Sequence, residues 1–225
     1  MKRFATLSAL LWLLSLPLQG LAQNAAAPQN DIKMAILSLG SGSTRLSYER
    51  AIGEQNTFEA TVGLISLGWD IMNHAHPVGA GLKFAYKWTL LPQKGLATPL
   101  AGLYVKPEIQ LAHFTNRYDP ESNSRYPFVE TQSTVLLGEV GYQLILRWFV
   151  FDIYAGLGVG LHHSEGYESG GTPSSPTGAS QGATSAPPSP TRLQGQPDNY
   201  YHGVMFFPAS SPLAFTAGFR IGYAF

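Results

Sequence analysis

Beyond its N-terminal segment, the chain alternates apolar and polar positions with period two. In Leu213–Phe225, the residues Leu213, Phe215, Ala217, Phe219, Ile221, Tyr223 and Phe225 share one parity, and Ala214, Thr216, Gly218, Arg220, Gly222 and Ala224 share the other. Side chains of a β-strand alternate across the sheet, so this is a strand with one apolar face and one small or polar face. The same pattern predicts seven earlier strands, at about 33–39, 44–52, 57–68, 78–90, 100–115, 131–146 and 149–162. An even number of antiparallel strands, with eight the smallest, is the bacterial outer-membrane plan.

The links between these strands alternate in length. Those after the second, fourth and sixth are short or moderate: Gly53–Asn56, Pro92–Pro99 and a tight turn near Arg147. Those after the third, fifth and seventh lengthen progressively. The last, 164–212, contains the Ser/Gly/Pro/Thr tract, which is too poor in apolar surface to offset its ordering entropy. The short Gly40–Ser43 link after the first strand reads as a hairpin turn and departs from that trend. The expected fold class is all-β, an eight-stranded antiparallel up-and-down transmembrane β-barrel over 32–225. Short turns then lie on the periplasmic side and long loops outside.

The parity of the charges supports an apolar exterior. Phe149, Phe151, Ile153, Ala155, Leu157, Val159 and Leu161 share one face, as do Leu103, Val105, Ile109 and Leu111, and Leu82, Phe84, Tyr86 and Trp88. The opposite faces carry five acids, Glu49, Glu59, Glu108, Glu139 and Asp152, and five bases, Arg45, Lys83, Lys87, Lys106 and Arg220. An Arg or Lys on the lipid face at midplane costs about 2–4 kcal/mol, so these ten are expected inside. Eight strands leave an interior just wide enough for side chains, and the balanced signs favour a space-filling ion-pair network over a small pore. A soluble ligand-binding barrel needs the reverse arrangement, apolar inside and polar outside.

Composition adds the compartment. Lys2 and Arg3 followed by the apolar run Phe4–Leu16, then Pro17 and Gly20-Leu21-Ala22, predict a signal peptide over 1–22, with a polar tether at 23–31. The chain has no cysteine, which excludes disulfides. Charged residues make up 12% of it, against about 25% for a soluble domain. Its formal net charge of zero gives no reason to expect nucleic acid. Trp88 and Trp148, with Phe225, are expected near the periplasmic rim, and Trp69 at the outer one, where amphipathic rings gather. Pro107 falls in mid-strand and must forfeit a ladder hydrogen bond, so a local irregularity is expected there.

Reactive chemistry is sparse. His74 and His76 lie in a loop without a nearby acid cluster, so neither metal nor cofactor is expected. His162 and His163 point to opposite faces. His162, Ser164 and Glu165 are the local candidates for a His/Ser/carboxylate site of the lipid A-modifying kind, but the sequence supplies nothing to orient them.

Several segments carry a family resemblance: Leu46-Ser-Tyr-Glu-Arg-Ala-Ile-Gly53, Tyr104-Val-Lys-Pro-Glu108, Gly141-Tyr-Gln143, Phe151-Asp-Ile-Tyr-Ala-Gly-Leu-Gly158 and Gly218-Phe-Arg-Ile-Gly-Tyr-Ala-Phe225. The chain resembles the small eight-stranded outer-membrane barrels of unknown function common in Bacteroidetes. The resemblance covers most of the barrel but not the long final loop, and Lys106 stands where such proteins often have glycine beside the proline. It implies an outer-membrane location, contact with outer-membrane lipid and lipopolysaccharide, and recognition by the barrel-assembly machinery, with Phe225 as the assembly signal. It brings no catalytic residue. The expected role is non-enzymatic: a structural or surface-binding barrel, with an extracellular ligand held by the loops. The alternatives are a lipid A-modifying enzyme or a small pore.

Overall fold

The computed structural model describes residues 27–36, 38, 41–70, 75–118, 128–167, 191–192, 200–201, 203–206 and 212–225. The segment 1–22, most of the tether and most of 168–211 lie outside the described residues. Eight strands close an antiparallel barrel: β1 (Asn30–Ala35), β2 (Ser41–Ala51), β3 (Asn56–Asp70), β4 (Ala75–Pro92), β5 (Gly102–Tyr118), β6 (Phe128–Leu146), β7 (Phe149–Tyr167) and β11 (Leu213–Ala224). Each pairs with the next in sequence, and β11 pairs with both β7 and β1, so the wall closes. No helix among the described residues is long and apolar enough to cross a membrane, which says nothing of strands.

Alternation drives this wall. Burial along β6 runs exposed, buried, exposed for almost its full length. Its inward residues include Val135, Leu137, Glu139 and Gln143, and its outward ones Leu136, Val140, Tyr142 and Leu146. The strands extend further than their apolar pattern. On β5, outward Leu111 is followed by His113. On β6, Leu136 is preceded by Thr134, Gln132 and Glu130, and on β7, Leu161 is followed by His163 and Glu165. His113 Nε2 lies 2.9 Å from Glu130 Oε1, and His163 Nε2 lies 3.0 Å from Glu165 Oε1. A polar outward band therefore begins where the apolar belt stops.

The barrel has a tight-turn end and a loop end. Arg147 and Trp148 join β6 to β7 in a two-residue turn, with Arg147 at φ 60°, a conformation usually left to glycine. Asn30 and Phe225 meet here: the Asn30 amide donates to the Phe225 carbonyl at 2.9 Å, and the Phe225 amide returns the bond to Asn30 at 2.9 Å. Trp148, Tyr223 and Phe225 stack in a row at this end, with centroids 6.3 Å apart at each step, and Tyr86 meets Trp88 edge-on at 4.6 Å. Trp69 belongs to the opposite end of β3 by its backbone, and its side chain is outside the described set.

Four expectations about element boundaries change. The first strand stops at Ala35, and Ser41–Ser43 belong to β2, with a register shift between Ser41 and Ser43. The fifth strand starts at Gly102, because the link before it folds inward instead of continuing the wall. The seventh strand runs to Tyr167, five residues past its expected end at His162. Finally, parts of the long link pair with the wall. β8 (Thr191–Arg192) extends the sheet beside the end of β7, while β9 (Tyr200–Tyr201) and β10 (Val204–Phe206) form a small hairpin on β11. Because β1 ends early, β11 lacks that partner beyond Arg220; β10 takes up Phe215 and Ala214.

Pro107 interrupts one ladder without changing its register. β5 stays fully paired with β6 through Pro107–Gly138, whereas the β4–β5 pairing passes from Ala85–Glu108 directly to Trp88–Val105. The missing amide thus falls on the β4 side. The register shift in that pair lies nearby instead, between Thr89 and Leu91.

Candidate functional site: the charged barrel interior

Every strand of the barrel sends at least one charge inward. Arg45 and Glu49 come from β2, Glu59 from β3, Lys83 and Lys87 from β4, Lys106 and Glu108 from β5, Glu139 from β6, Asp152 from β7 and Arg220 from β11. All ten residues expected inside are buried there. β1 adds two that the sequence reading missed, Asp31 and Lys33, also fully buried. Asp31 was assigned to the tether and Lys33 to no face. The alternation Asp31, Lys33, Ala35 against Ile32 and Met34 carries the signal, but over too few residues to stand out.

Eleven of these twelve side chains form one connected network. Glu59 is its hub, within 2.7 Å of Lys33, 3.1 Å of Lys106 and 2.6 Å of Arg220. Lys106 reaches Glu139 at 2.8 Å and Glu108 at 3.3 Å, and Glu108 binds Lys83 at 2.7 Å. Arg220 Nε lies 3.0 Å from Asp152. Glu49 is held by Lys33, by Lys87 at 2.5 Å and by the Thr57 hydroxyl. The Gln143 amide bridges the first and fourth strands: it donates to Asp31 at 2.6 Å and accepts from Lys33 at 3.0 Å and Lys87 at 3.1 Å.

Two tyrosines fill the space between the charges, and glycines make room for them. The Tyr104 hydroxyl donates to Asp152 at 2.7 Å, and its ring lies against Gly141 directly across the ladder. Tyr154 lies against its cross-strand partner Gly218 and receives the Arg220 guanidinium over its face at 4.2 Å. A methyl group at Gly218 would stand 2.5 Å from the Tyr154 oxygen. Gly218→Ala should therefore destabilise the folded barrel by about 1–3 kcal/mol, the cost of overpacking a filled core, read from its urea unfolding midpoint. An unchanged midpoint would mean that the ring has room to move.

Apolar layers close the network at both ends. At the turn end, the link 93–101 folds into the lumen, burying Leu100 and Ala101 against Ile145, Val150 and Ala224. Lys87 donates to the Leu100 carbonyl at 2.8 Å, and Gln93 binds both backbone groups of Ile145. At the loop end, Ile65, Ala112, Phe114, Val135, Leu137 and Ala214 surround Val204, which β10 inserts from the long link. The charges are thus enclosed between two apolar plugs. This geometry suits a filled, self-neutralising core.

The candidate His/Ser/carboxylate set is split by the wall. Ser164 is buried on the inner face, with its hydroxyl 3.1 Å from that of Thr131. Glu165 lies on the outer face, paired with His163 rather than His162. Period two on one strand forbids adjacent residues from meeting. His74 lies outside the described residues, and His76 is described only in its backbone within β4. Among the described residues, no three His, Asp or Glu side chains are arranged to hold a metal ion.

Comparison with family models, with curated proteins and with solved structures finds no match to this chain, so its function is argued from the geometry alone.

Proposed function

We propose that this chain is an integral outer-membrane β-barrel protein of the small eight-stranded, Bacteroidetes-type kind. In this reading it is exported by its signal peptide and inserted by the barrel-assembly machinery, and it serves a structural or surface-binding role. The observation that carries the reading is the inversion of polarity across the wall. Leu46, Phe58, Val62, Leu82, Phe84 and Leu136 lie exposed on the outside of a barrel whose charges are buried. Soluble proteins rarely leave contiguous apolar patches beyond a few hundred Å² uncovered, and a belt around a whole barrel needs lipid. The belt's height agrees. From Phe149 to Leu161, at ~3.3 Å per residue and a tilt near 45°, the strand rises about 28 Å, close to the hydrocarbon thickness.

The turn end, with Asn30, Phe225 and the stacked aromatics, faces the periplasm. The loop end, with the polar outward band, meets the lipopolysaccharide headgroups and presents the long link outside. The interior serves the barrel itself, neither transporting nor catalysing.

Heat-modifiability of the outer-membrane fraction tests the placement. The expected result is a band that migrates faster unboiled than boiled. Recovery as a soluble periplasmic protein without that shift would overturn the membrane reading. Discrete conductance steps from the purified barrel in planar bilayers would overturn the filled interior.

A further inference from the structure

At the loop-side margin of the apolar belt, the outward residues of β4 to β7 form two cross-strand rows. Leu82, Leu111, Thr134 and Leu161 stand in register in the first. Ala80, His113, Gln132 and His163 stand in register in the second, one step nearer the loops. The surface thus turns from apolar to polar within a single step, except on β4, where Ala80 and then Val78 keep it apolar.

Ala80 leaves a notch in that margin. It offers one methyl group between the larger side chains of Val78 and Leu82. Gly79 beside it lets β4 lie close against β5, since a Cβ there would stand 2.3 Å from the His113 carbonyl oxygen. The result is a groove of about 400 Å³, open outwards and lined by Ala80, Leu82 and Leu111 together with His113, Gln132 and Thr134. That volume lies within the roughly 300–1,000 Å³ of small-molecule sites. Glu130 Oε1 holds the His113 ring at 2.9 Å, and Glu165 Oε1 holds His163 at 3.0 Å. Between the histidines, the exposed Gln132 amide offers two donors and an acceptor. Glu130 and Glu165 face each other across the next row. The described side chains of this margin therefore carry two carboxylates and two histidines, a negative set while the histidines are neutral. Phosphate is disfavoured directly beside them, whereas sugar hydroxyls can donate to the carboxylates and accept from the Gln132 amide.

We propose that this groove holds one glycolipid of the outer leaflet. An acyl chain lies along Ala80, Leu82 and Leu111, and a phosphate-free sugar of the headgroup meets Gln132, His113 and Glu130. The lining turns from apolar to hydrogen-bonding in the direction in which such a molecule turns from chain to headgroup, and the few polar groups fix its orientation. This site rests on the outer-membrane reading above and narrows it: one lipid is retained at a fixed place while the rest of the belt exchanges freely.

Native mass spectrometry provides the test. The full folded chain is reconstituted in phosphatidylethanolamine vesicles that contain equal shares of phosphatidylglycerol and monophosphoryl lipid A, whose reducing sugar carries no phosphate. Its heat-induced gel shift is checked, and the barrel is then released from the vesicles in the spectrometer. The expected spectrum shows the barrel with one lipid A mass, retained several-fold over either phospholipid. Ala80→Leu, which fills the groove and keeps the belt apolar, should lower that retention several-fold, as should Gln132→Leu. Ala217→Leu, at an outward alanine on β11, should leave it unchanged, and all three variants should keep the gel shift. If Ala80→Leu does not fold, the wild-type selectivity and Gln132→Leu still decide. Equal retention of the phospholipids, or retention indifferent to both groove variants, would overturn the site while the gel shift upholds the membrane placement. Paired barrels free of lipid would give the groove to a second copy and overturn it too. A wild-type chain without the gel shift would defeat placement and site together.

Discussion

Glu59→Gln is expected to destabilise the folded barrel by about 3–5 kcal/mol, the cost of removing one partner from a buried ion-pair cluster. The amide is close in size to the carboxylate, so packing is nearly unchanged and the effect is electrostatic. It leaves Lys33, Lys106 and Arg220 converging on a neutral group, three cations that had shared one carboxylate. Arg220 retains Asp152 and Lys106 retains Glu139, so the loss is partial rather than total. Urea unfolding, followed by tryptophan fluorescence and the gel shift, measures it. A change below about 1 kcal/mol, the range of exposed pairs, would mean that water reaches Glu59 and that the interior is not sealed.

Leu157→Arg is expected to cost about 2–4 kcal/mol in a bilayer, because its side chain projects from the middle of the apolar belt. Leu157 is 70% exposed. In a water-soluble barrel a substitution at so exposed a position would fall within about 0.5 kcal/mol of neutral. The same arginine at His163, in the polar band, should be nearly silent in either setting. Folding of the two variants into lipid vesicles, compared with wild type, separates the settings. A silent Leu157→Arg would place the belt in water and remove the basis for the membrane reading.

Much of this architecture was legible from one rule. Where alternation ran long, as in Leu82–Trp88 and Phe149–Leu161, both the strand and its inward charges followed from residue parity. The rule failed where alternation was short or where polarity hid the strand. β1 offers few alternating positions, so Asp31 and Lys33 went unassigned although they pair with the hub cluster. His162–Tyr167 continues β7 above the apolar belt, where both faces are polar and parity carries no hydrophobic contrast. The two plugs were illegible for another reason: they come from links. Leu100 and Val204 are buried by tertiary packing, and only the apolar run Tyr200–Phe207 within an otherwise polar tract hinted that part of the long link has something to bury. Arg45 is inside as its parity predicts, but that among the described residues it has no carboxylate partner depends on distances across the lumen that no single strand encodes.

The shortness of β1 has a mechanical consequence. The joint that closes the cylinder, β1 with β11, has only five paired positions, Asp31–Ala224 to Ala35–Arg220, whereas β6 and β7 are paired from Phe128–Tyr167 to Leu146–Phe149. That joint unites the two most distant parts of the sequence, so it carries the largest loop-closure entropy of any pairing in the wall. The start of β1 at Asn30 and the end of the described chain at Phe225 lie at its same end. Tension between them therefore loads the joint one hydrogen-bonded pair at a time, as a zip, rather than shearing all the pairs together. Behind it, Lys33 of β1 and Arg220 of β11 both grip Glu59 from across the lumen. The closing seam of the wall is thus tied from inside, by the charges the barrel encloses.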